Sequence, residues 1–170
     1  IGIIGVGRIG SLHEKSVTYN IPSAKVLGLT DVNEANSHAV ASDLGIEKIY
    51  DDYRQMLADP EIDAVMICSS TDTHADIAVE AAAAGKHIFC EKPVDLTPEK
   101  VYAVIEAVQK AGVKLQVGFN RRFDHNFARI EQMTRNGEIG DVHIIKITSR
   151  DPAPPPAEYS AVSGGMFLDM

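Results

Sequence analysis

The chain has 170 residues, of which 45% are hydrophobic and 24% charged, and its formal net charge is −8. This composition is typical of a soluble globular protein, and the acidic balance argues against a nucleic-acid or anionic-membrane surface. No stretch approaches the roughly 20 apolar residues of a membrane span. The two cysteines, Cys68 and Cys90, form no disulfide framework, so we expect a cytoplasmic protein.

Short apolar runs alternate with longer segments of helical periodicity along the first 119 residues. Strands that alternate with helices of this length are typical of βαβ units and of a parallel sheet covered on both faces. We therefore predict a doubly wound α/β domain over residues 1–119. The predicted strands are 1–5, 25–31, 64–69, 86–90 and 114–119, and the predicted helices are 8–19, 33–44, 73–84 and 97–111.

The character of the sequence changes after this domain. Residues 121–140 predict an amphipathic helix closed by Gly137, and residues 141–151 predict a long strand. The partial alternation of that strand is consistent with a half-buried antiparallel sheet. We interpret 120–170 as the beginning of a second α+β domain with an open antiparallel sheet. Because the chain starts inside an apolar strand and stops where a new element begins, we expect these residues not to be a complete enzyme.

The first predicted strand is followed by Gly5, Gly7 and Gly10 in the spacing G-x-G-x-x-G. The motif alone is weak, but a preceding strand and a following helix are the context of a dinucleotide-binding turn. Gly5 would allow the tight turn, Gly7 the approach of a pyrophosphate, and Gly10 close helix–strand packing. The first backbone N–H groups of the helix, those of Arg8, Ile9 and Gly10, would then hold the phosphates.

Asp31 ends the second predicted strand and follows Gly10 by 21 residues. A carboxylate at this position accepts hydrogen bonds from the adenosine ribose hydroxyls and repels a 2′-phosphate. No Arg or Lys follows directly, because the next residues are Val32, Asn33 and Glu34. The sequence therefore favours NAD over NADP. The alternative is that Asp31 only caps the helix that follows.

Polar residues also follow the third predicted strand, in "CSSTDTH". Because ligands of such sheets bind beyond the carboxyl ends of the strands, these residues are candidates for cofactor contacts. Asp72 or Thr73 can cap the next helix. His74 lies in the first turn of that helix, where a histidine serves as a capping or packing residue or contacts the cofactor. The remaining candidates are Ser69, Ser70 and Thr71.

The apolar run "HIFC" ends abruptly at Glu91, Lys92 and Pro93. A lysine held at this strand end would lie beside the nicotinamide of a cofactor whose pyrophosphate binds the first helix. Pro93 restricts the backbone of Lys92 to extended geometry, and a cis Lys92–Pro93 bond is possible. Glu91 would pair with the lysine or contact the nicotinamide ribose. The alternative is a Lys-Pro turn on the surface, and the residues alone leave both open.

Several segments together resemble the Gfo/Idh/MocA oxidoreductases and, within them, the inositol dehydrogenases. They are "GIIGVGRIG", "TDVN", "CSSTDTHADIAVEAAAAGKHIFCEKP", "VGFNRRFD" and "GGMFLDM". The most specific is "EKP", placed one element after Thr71 and His74. "SRDPAPP" and "GGMFLDM" are the segments that point to inositol dehydrogenases.

The resemblance implies a role for four residues. Lys92 would be the catalytic lysine, which hydrogen-bonds the reacting hydroxyl. Asp169 matches the aspartate of an Asp-x-x-x-His pair, and its histidine, the proton acceptor, would follow Met170. Arg122 and Asp151 match positions that contact substrate. Arg122 could instead form an ion pair at a helix end, and Asp151 could be a turn residue.

The resemblance further implies an NAD-dependent dehydrogenase, without a metal, that transfers hydride from a secondary hydroxyl of a cyclic polyol. We expect myo-inositol, its 2-keto product, and a homodimer or homotetramer that binds neither nucleic acid nor membrane. Alternative substrates are an aldose, a sugar phosphate or a dihydrodiol. An alternative of another class is a non-catalytic dinucleotide sensor, which has no use for Lys92 together with Asp169. A protein–protein module would need no cofactor and conflicts with the glycine motif.

Overall fold

The computed structural model describes residues 1–150 and 153, which cluster into two units. The first unit comprises Ile1–Gly118, and the second begins at Phe119. The strands are β1 (Gly2–Ile4), β2 (Gly28–Thr30), β3 (Lys48–Ile49), β4 (Ala64–Ile67), β5 (His87–Cys90) and β6 (Leu115–Val117). The helices are α1 (Arg8–Asn20), α2 (Glu34–Leu44), α3 (Tyr53–Ala58), α4 (Thr71–Ala83), α5 (Pro98–Ala111) and α6 (His125–Arg135). No helix in this described part is long and apolar enough to cross a membrane.

The six strands form one parallel sheet in the order β3-β2-β1-β4-β5-β6. This is the strand order of a doubly wound dinucleotide-binding sheet, so the predicted fold class is confirmed. The chain moves from β1 to one edge through β2 and β3, and then returns to build the other side from β4. The reversal between β1 and β4 opens a crevice at the carboxyl ends of these strands, where ligands of such sheets bind.

Two apolar clusters cover the two faces of the sheet. Successive strand residues point to opposite faces, so Ile3 and Ile4 belong to different clusters. Ile3 packs in the cluster that contains Val17 of α1, and Ile4 packs in the cluster that contains Val104 of α5. Burial of such a side chain contributes about 1.5–3 kcal/mol. The strands are therefore held between helices, and their carboxyl ends are fixed in position.

The sequence predicts neither β3 nor α3. β3 has two residues, too few to show the alternation that identifies a strand. α3 has six residues and begins after Asp52, whose Oδ1 accepts a hydrogen bond of 2.7 Å from the backbone N of Arg54. This side-chain cap satisfies a backbone N–H group that the short helix would otherwise leave without a partner.

In the second unit, the predicted helix over 121–140 is divided. A 3₁₀ turn over Asn120–Phe123 precedes α6. Asp124 separates them and caps α6, because its Oδ1 accepts hydrogen bonds from the backbone N atoms of Asn126 and Phe127 at 2.9 and 3.2 Å. Gly137 follows the end of α6 with a φ of +70°. Asp124, which lies inside the predicted helix, is thus the N-cap of α6.

The predicted strand over 141–151 is wrong for its described part, because residues 141–150 lie outside helix and strand. Ile144, Ile145 and Ile147 are exposed to 87%, 75% and 77%. A strand needs a neighbour that pairs with its backbone N–H and C=O groups, and none of the described residues supplies one. The division into domains 1–119 and 120–170 stays a prediction.

Candidate active site

The turn between β1 and α1 is built on three glycines with different surroundings. Gly5 has a φ of +86°, and a Cβ atom there would lie 2.6 Å from the backbone of Ser69. A Cβ on Gly10 would lie 1.9 Å from the carbonyl oxygen of Gly5. Gly7 differs, because a Cβ there would meet no atom of the described residues within 4 Å. No side chain in this part of the chain caps α1, so its first backbone N–H groups and open Gly7 fit an anionic ligand such as a pyrophosphate.

Asp31 stands beside this turn at the end of β2. Its Oδ2 accepts a 2.7 Å hydrogen bond from the backbone N of Val6, and its Oδ1 accepts one of 2.8 Å from the backbone N of Asn33. The N-cap of α2 is Asn33, whose side chain accepts a bond from the backbone N of Ala35 at 3.2 Å. The alternative of Asp31 as the helix cap is therefore wrong, and its carboxylate is held against the glycine turn.

The loop after β4 differs in detail from the sequence prediction. α4 begins at Thr71 with Ser70 as its N-cap, so the assignment of the cap to Asp72 or Thr73 is wrong. The physical reason is that Thr73 has other partners. Its Oγ1 donates a 2.7 Å hydrogen bond to the carbonyl oxygen of Ser70 and lies 2.7 Å from Oγ of Ser69. These bonds fix the loop beside the glycine turn.

His74 is buried, with 2% of its surface exposed, and its ring joins two strand ends. Nδ1 lies 2.8 Å from the carbonyl oxygen of Pro93, and Nε2 lies 3.0 Å from the carbonyl oxygen of Ser69. Both neighbours are acceptors, so in either neutral tautomer the one ring nitrogen that carries a proton donates to the carbonyl oxygen beside it. The structure assigns His74 a place in packing the loops after β4 and β5, and a cofactor contact of this residue stays a prediction.

Glu91 and Lys92 follow β5 directly, and the Lys92–Pro93 peptide bond is cis. Nε2 of His13 on α1 lies 2.6 Å from Oε1 of Glu91. The other carboxylate oxygen, Oε2, accepts a hydrogen bond of 3.1 Å from the backbone N of Lys92. The predicted contacts of Glu91 with the lysine side chain or with a ribose stay predictions.

The charge state of Glu91 follows from these contacts. Burial by itself raises the pKa of this carboxyl. The hydrogen bonds from His13 and from the backbone amide of Lys92, and the charges of both residues, outweigh burial and hold the pKa of Glu91 below its ordinary value. Glu91 is therefore a carboxylate over the physiological pH range.

A cavity of about 860 Å³ begins at the glycine turn. It runs past Asp31 and the loop after β4 to α3 and α4, and its size is in the range of cofactor and ligand pockets. At the far end, the guanidinium of Arg54 lies 4.6 Å from the ring centroid of Tyr53 and hydrogen-bonds Glu80 at 2.7 Å. Of the predicted cofactor-binding residues, the lining contains Gly5, Gly7, Asp31, Ser69 and Ser70, and it does not contain Arg8, Ile9, Gly10, Thr71, His74, Glu91 or Lys92.

Burial disfavours the thiolate form of the two cysteines near the site. Burial raises the pKa of Cys68 and of Cys90 to about 12, and the negative charge of Glu91 contributes to the same shift. A thiol with such a pKa is protonated at neutral pH, whereas the thiolate is the reactive form. Although Cys68 lines the cavity, the site is not built for cysteine chemistry.

Residues 1–119 match the family model of the Gfo/Idh/MocA oxidoreductases, which describes their NAD-binding Rossmann fold. The chain belongs to the Gfo/Idh/MocA family. The resemblance stated from the sequence motifs is thereby confirmed.

Related proteins of the Gfo/Idh/MocA family match beyond the Rossmann fold. The myo-inositol 2-dehydrogenase of Thermotoga maritima is 48% identical over 170 residues, which are 100% of this chain and 51% of the relative. A crystal structure of a probable dehydrogenase from Thermotoga maritima matches with a TM-score of 0.94 and 47% identity, and covers 99% of this chain and 50% of that chain. The scyllo-inositol dehydrogenase of Lactobacillus casei, crystallised with NAD(H) and scyllo-inositol, matches with a TM-score of 0.79 and 35% identity, over 82% of this chain and 42% of that chain. The chain thus spans about half the length of the curated relatives it matches.

Three candidate residues expected to contact substrate or support catalysis lie in the second unit or outside the described residues. Arg122 is an exposed residue of the 3₁₀ turn in the second unit, and its backbone N donates a 3.0 Å hydrogen bond to the carbonyl oxygen of Phe119. Asp151 and Asp169 lie outside the described residues. The roles of all three in the Gfo/Idh/MocA site stay predictions.

The sequence alone did not identify three residues that the structure places at the site: His13, Tyr53 and Arg54. A signal existed for the last two, because Asp52 followed three positions later by Gln55 is the pattern of a helix N-terminus. For His13 no local signal exists. Its partner Glu91 is 78 residues away, and only the adjacency of α1 and the end of β5 brings the pair together.

Proposed function

We propose that the protein is an NAD-dependent dehydrogenase that oxidises a secondary hydroxyl of a cyclic polyol, with myo-inositol as substrate and the 2-keto compound as product. The observation that carries the proposal is the cavity that begins at the glycine turn and has Asp31 in its wall. This cavity lies at the carboxyl ends of the parallel strands, and Lys92 follows the carboxyl end of β5. The choice of polyol is supported by the 48% identity, over the whole chain, with a relative named myo-inositol 2-dehydrogenase.

The residues of the cavity fit NAD. The open face of Gly7 and the uncapped start of α1 suit the pyrophosphate. A carboxylate has about four lone-pair positions, and the backbone N atoms of Val6 and Asn33 each engage one of the oxygens of Asp31. The remaining positions are able to accept hydrogen bonds from the ribose hydroxyls. When bound, NAD supplies the hydride acceptor.

Lys92 is the residue that we assign to the reacting oxygen. Its ammonium group donates a hydrogen bond to the hydroxyl of the polyol and stabilises the negative charge that grows as the proton leaves. Asp169 supports the histidine that accepts this proton. Arg122 and Asp151 contact the polyol. The cofactor contacts that we assign to the loops after β4 and β5 are those of Ser69, Ser70, Thr71, His74 and Glu91.

We further propose a reducing, cytoplasmic compartment and a homo-oligomeric enzyme, a dimer or a tetramer. Cys68 and Cys90 are free thiols, which supports a reducing compartment. The oligomeric assembly is supported by the resemblance to the family.

The proposal is tested with the full-length protein, NAD and a panel of substrates, with NADH formation followed by absorbance. The panel contains myo-inositol, scyllo-inositol, an aldose, a sugar phosphate and a dihydrodiol. We expect turnover of myo-inositol with NAD. Turnover of an aldose or a phosphorylated sugar without turnover of any inositol would assign the enzyme to that substrate class. Tight NAD binding without turnover of any substrate would instead identify a dinucleotide sensor.

A further inference from the structure

A side-chain contact connects the helix of the glycine turn to the loop that carries Lys92. His13 lies on α1, three residues after Gly10, and its Nε2 is 2.6 Å from Oε1 of Glu91. Oε2 of the same carboxylate accepts a 3.1 Å hydrogen bond from the backbone N of Lys92. The carboxylate of Glu91 thus connects α1 with the backbone of Lys92.

The surroundings leave this carboxylate little freedom. Only 18% of the Glu91 side chain and 26% of the His13 side chain are exposed. The ring of His13 packs edge-on against Phe89 of β5, with centroids 5.0 Å apart and an interplanar angle of 65°. A Cβ on Gly118 would lie 3.0 Å from Oε1 of Glu91, so the absence of a side chain there leaves the space that the carboxylate occupies. The pair is therefore confined by α1, β5 and the end of β6.

We propose that His13 is a positioning residue for Lys92. It holds the carboxylate of Glu91, which in turn holds the backbone amide of Lys92 at a fixed distance from α1. Because α1 is the element assigned to the cofactor phosphates, the contact sets the lysine relative to the bound cofactor. This inference rests on the proposed function and adds to it a residue that touches neither substrate nor cofactor.

The first test measures the steady-state kinetics of full-length variants with NAD and myo-inositol. His13→Ala removes the donor, and we expect kcat to fall on the order of 10- to 100-fold, the scale of a displaced catalytic group. The KM for NAD should change less than about threefold, because the side chain of His13 contacts Glu91 and Phe89, and His13 is not among the residues that we assign to the cofactor. His13→Gln keeps an N–H group near the position of Nε2 and should restore most of kcat. His38→Ala, at an exposed position on α2, is the matched control and should behave as wild type.

The second test observes Lys92 itself and needs no turnover. Lysines of the full-length protein are labelled by reductive methylation with ¹³C, and the Lys92 resonance is assigned by its loss in Lys92→Arg. We expect the Lys92 resonance to be displaced in His13→Ala and to keep its wild-type position in His13→Gln and His38→Ala. If His13→Ala does not fold, His13→Asn replaces it, because its shorter amide does not reach Glu91.

The outcomes separate this inference from the proposed function. If no polyol is oxidised by wild type but the Lys92 resonance moves in His13→Ala, the proposed function fails and the positioning role stands. An unmoved resonance in His13→Ala overturns the positioning role, whether or not kcat falls, because His13 then does not act through Lys92.

Discussion

Lys92 lies two residues after Cys90, the last residue of β5, and its backbone amide is fixed by the Glu91 carboxylate. If its ammonium stabilises the developing alkoxide, Lys92→Ala should lower kcat on the order of 10²- to 10⁴-fold, the range of a positioned acid–base group. NAD affinity should change little, because the glycine turn and Asp31 lie on other loops. Kinetics together with calorimetric NAD titration of the full-length enzyme measure both effects.

The matched control for this substitution is Lys110→Ala, at an exposed position in the last turn of α5. This substitution also removes one positive charge, but at a position remote from the carboxyl ends of the strands, and it should leave kcat unchanged. If Lys92→Ala retained near-normal kcat, Lys92 would be a residue of a surface turn, which is the reading that the sequence left open.

The positions of some residues of the candidate site could be predicted because these positions follow from local rules. The positions of Gly5, Gly10 and Asp31 are set by the spacing of one turn and by the end of one strand, and the structure places them accordingly. The cap of α4 could not be predicted in this way. Several hydroxyl and carboxylate side chains in "SSTDT" compete for the same backbone groups, and Thr73 bonds to Ser69 and Ser70 instead of capping the helix.

At the scale of elements, the contact of α1 with α2 contains an unusual buried acid. Glu14 of α1 is 0% exposed, and neither of its carboxylate oxygens has a hydrogen-bond partner among the described residues. Burial raises the pKa of Glu14 to about 7, with Lys15 opposing the shift and Asp43 adding to it. Ser37 of α2 is also buried, and no residue in the described part of the chain pairs with its hydroxyl. The carboxyl is therefore most compatible with the fold in its protonated form.

This burial predicts a pH dependence of stability with a definite sign. Between the ordinary carboxyl pKa of 4.5 and about 7, the folded state keeps a proton that the unfolded state releases, so the free energy of unfolding falls as pH rises. The loss levels off above the folded-state pKa and amounts to about 1–3 kcal/mol. Glu14→Gln does not titrate, and urea unfolding at pH 5 and pH 8 should show a smaller fall for this variant than for wild type.

Glu34→Gln is the control for this comparison, because Glu34 is an exposed residue in the first turn of α2. Its stability should follow the pH dependence of wild type. Identical pH dependence of wild type and Glu14→Gln would contradict the prediction and would mean that Glu14 ionises freely in the folded protein.

The helices that the sequence predicts well are long and have packing partners among the described residues. α1, α2, α4 and α5 each have at least 11 residues, and each contributes side chains to one of the two apolar clusters that also contain strand residues. Pattern fails where an element is too short to repeat its own signal, as in β3 with its two residues, or where pairing rather than pattern creates the element. Residues 141–150 have the composition of a strand, but a strand exists only beside a neighbour.

At the scale of the whole molecule, alternation of strands and helices predicts the parallel sheet but not the order of its strands. The order depends on which side of β1 each new unit packs, and this is decided by contacts between distant residues such as those in the two apolar clusters. The reversal beside β1 brings the glycine turn, Asp31 and the loop after β4 around one cavity. A ligand in this cavity contacts several elements of the first unit, so its binding should stabilise the fold.

Because a bound cofactor stabilises the folded state, the preference for NAD or NADP can be measured from the thermal stability of the protein. A ligand that binds only the folded state at 100 times its Kd adds about 2.7 kcal/mol. Two unit charges 4 Å apart interact by about 1–4 kcal/mol at effective dielectrics between water and a protein surface. Repulsion between Asp31 and a 2′-phosphate should therefore make NADP at least about fivefold weaker than NAD. At equal concentrations, thermal unfolding should show a larger rise of Tm with NAD.

Asp31→Ala tests the cause of this difference, because it removes the charge and the ribose acceptor together. We expect a smaller rise of Tm with NAD, a relatively larger rise with NADP, and hence a narrower difference between the cofactors. Asp43→Ala on α2 removes an equally charged but exposed side chain, which pairs with Lys15 at 3.4 Å, and should preserve the wild-type difference. A wild-type protein stabilised equally by NAD and NADP would show that Asp31 does not select the cofactor. The carboxylate would then serve only to hold Val6 and Asn33 in the glycine turn and at the start of α2.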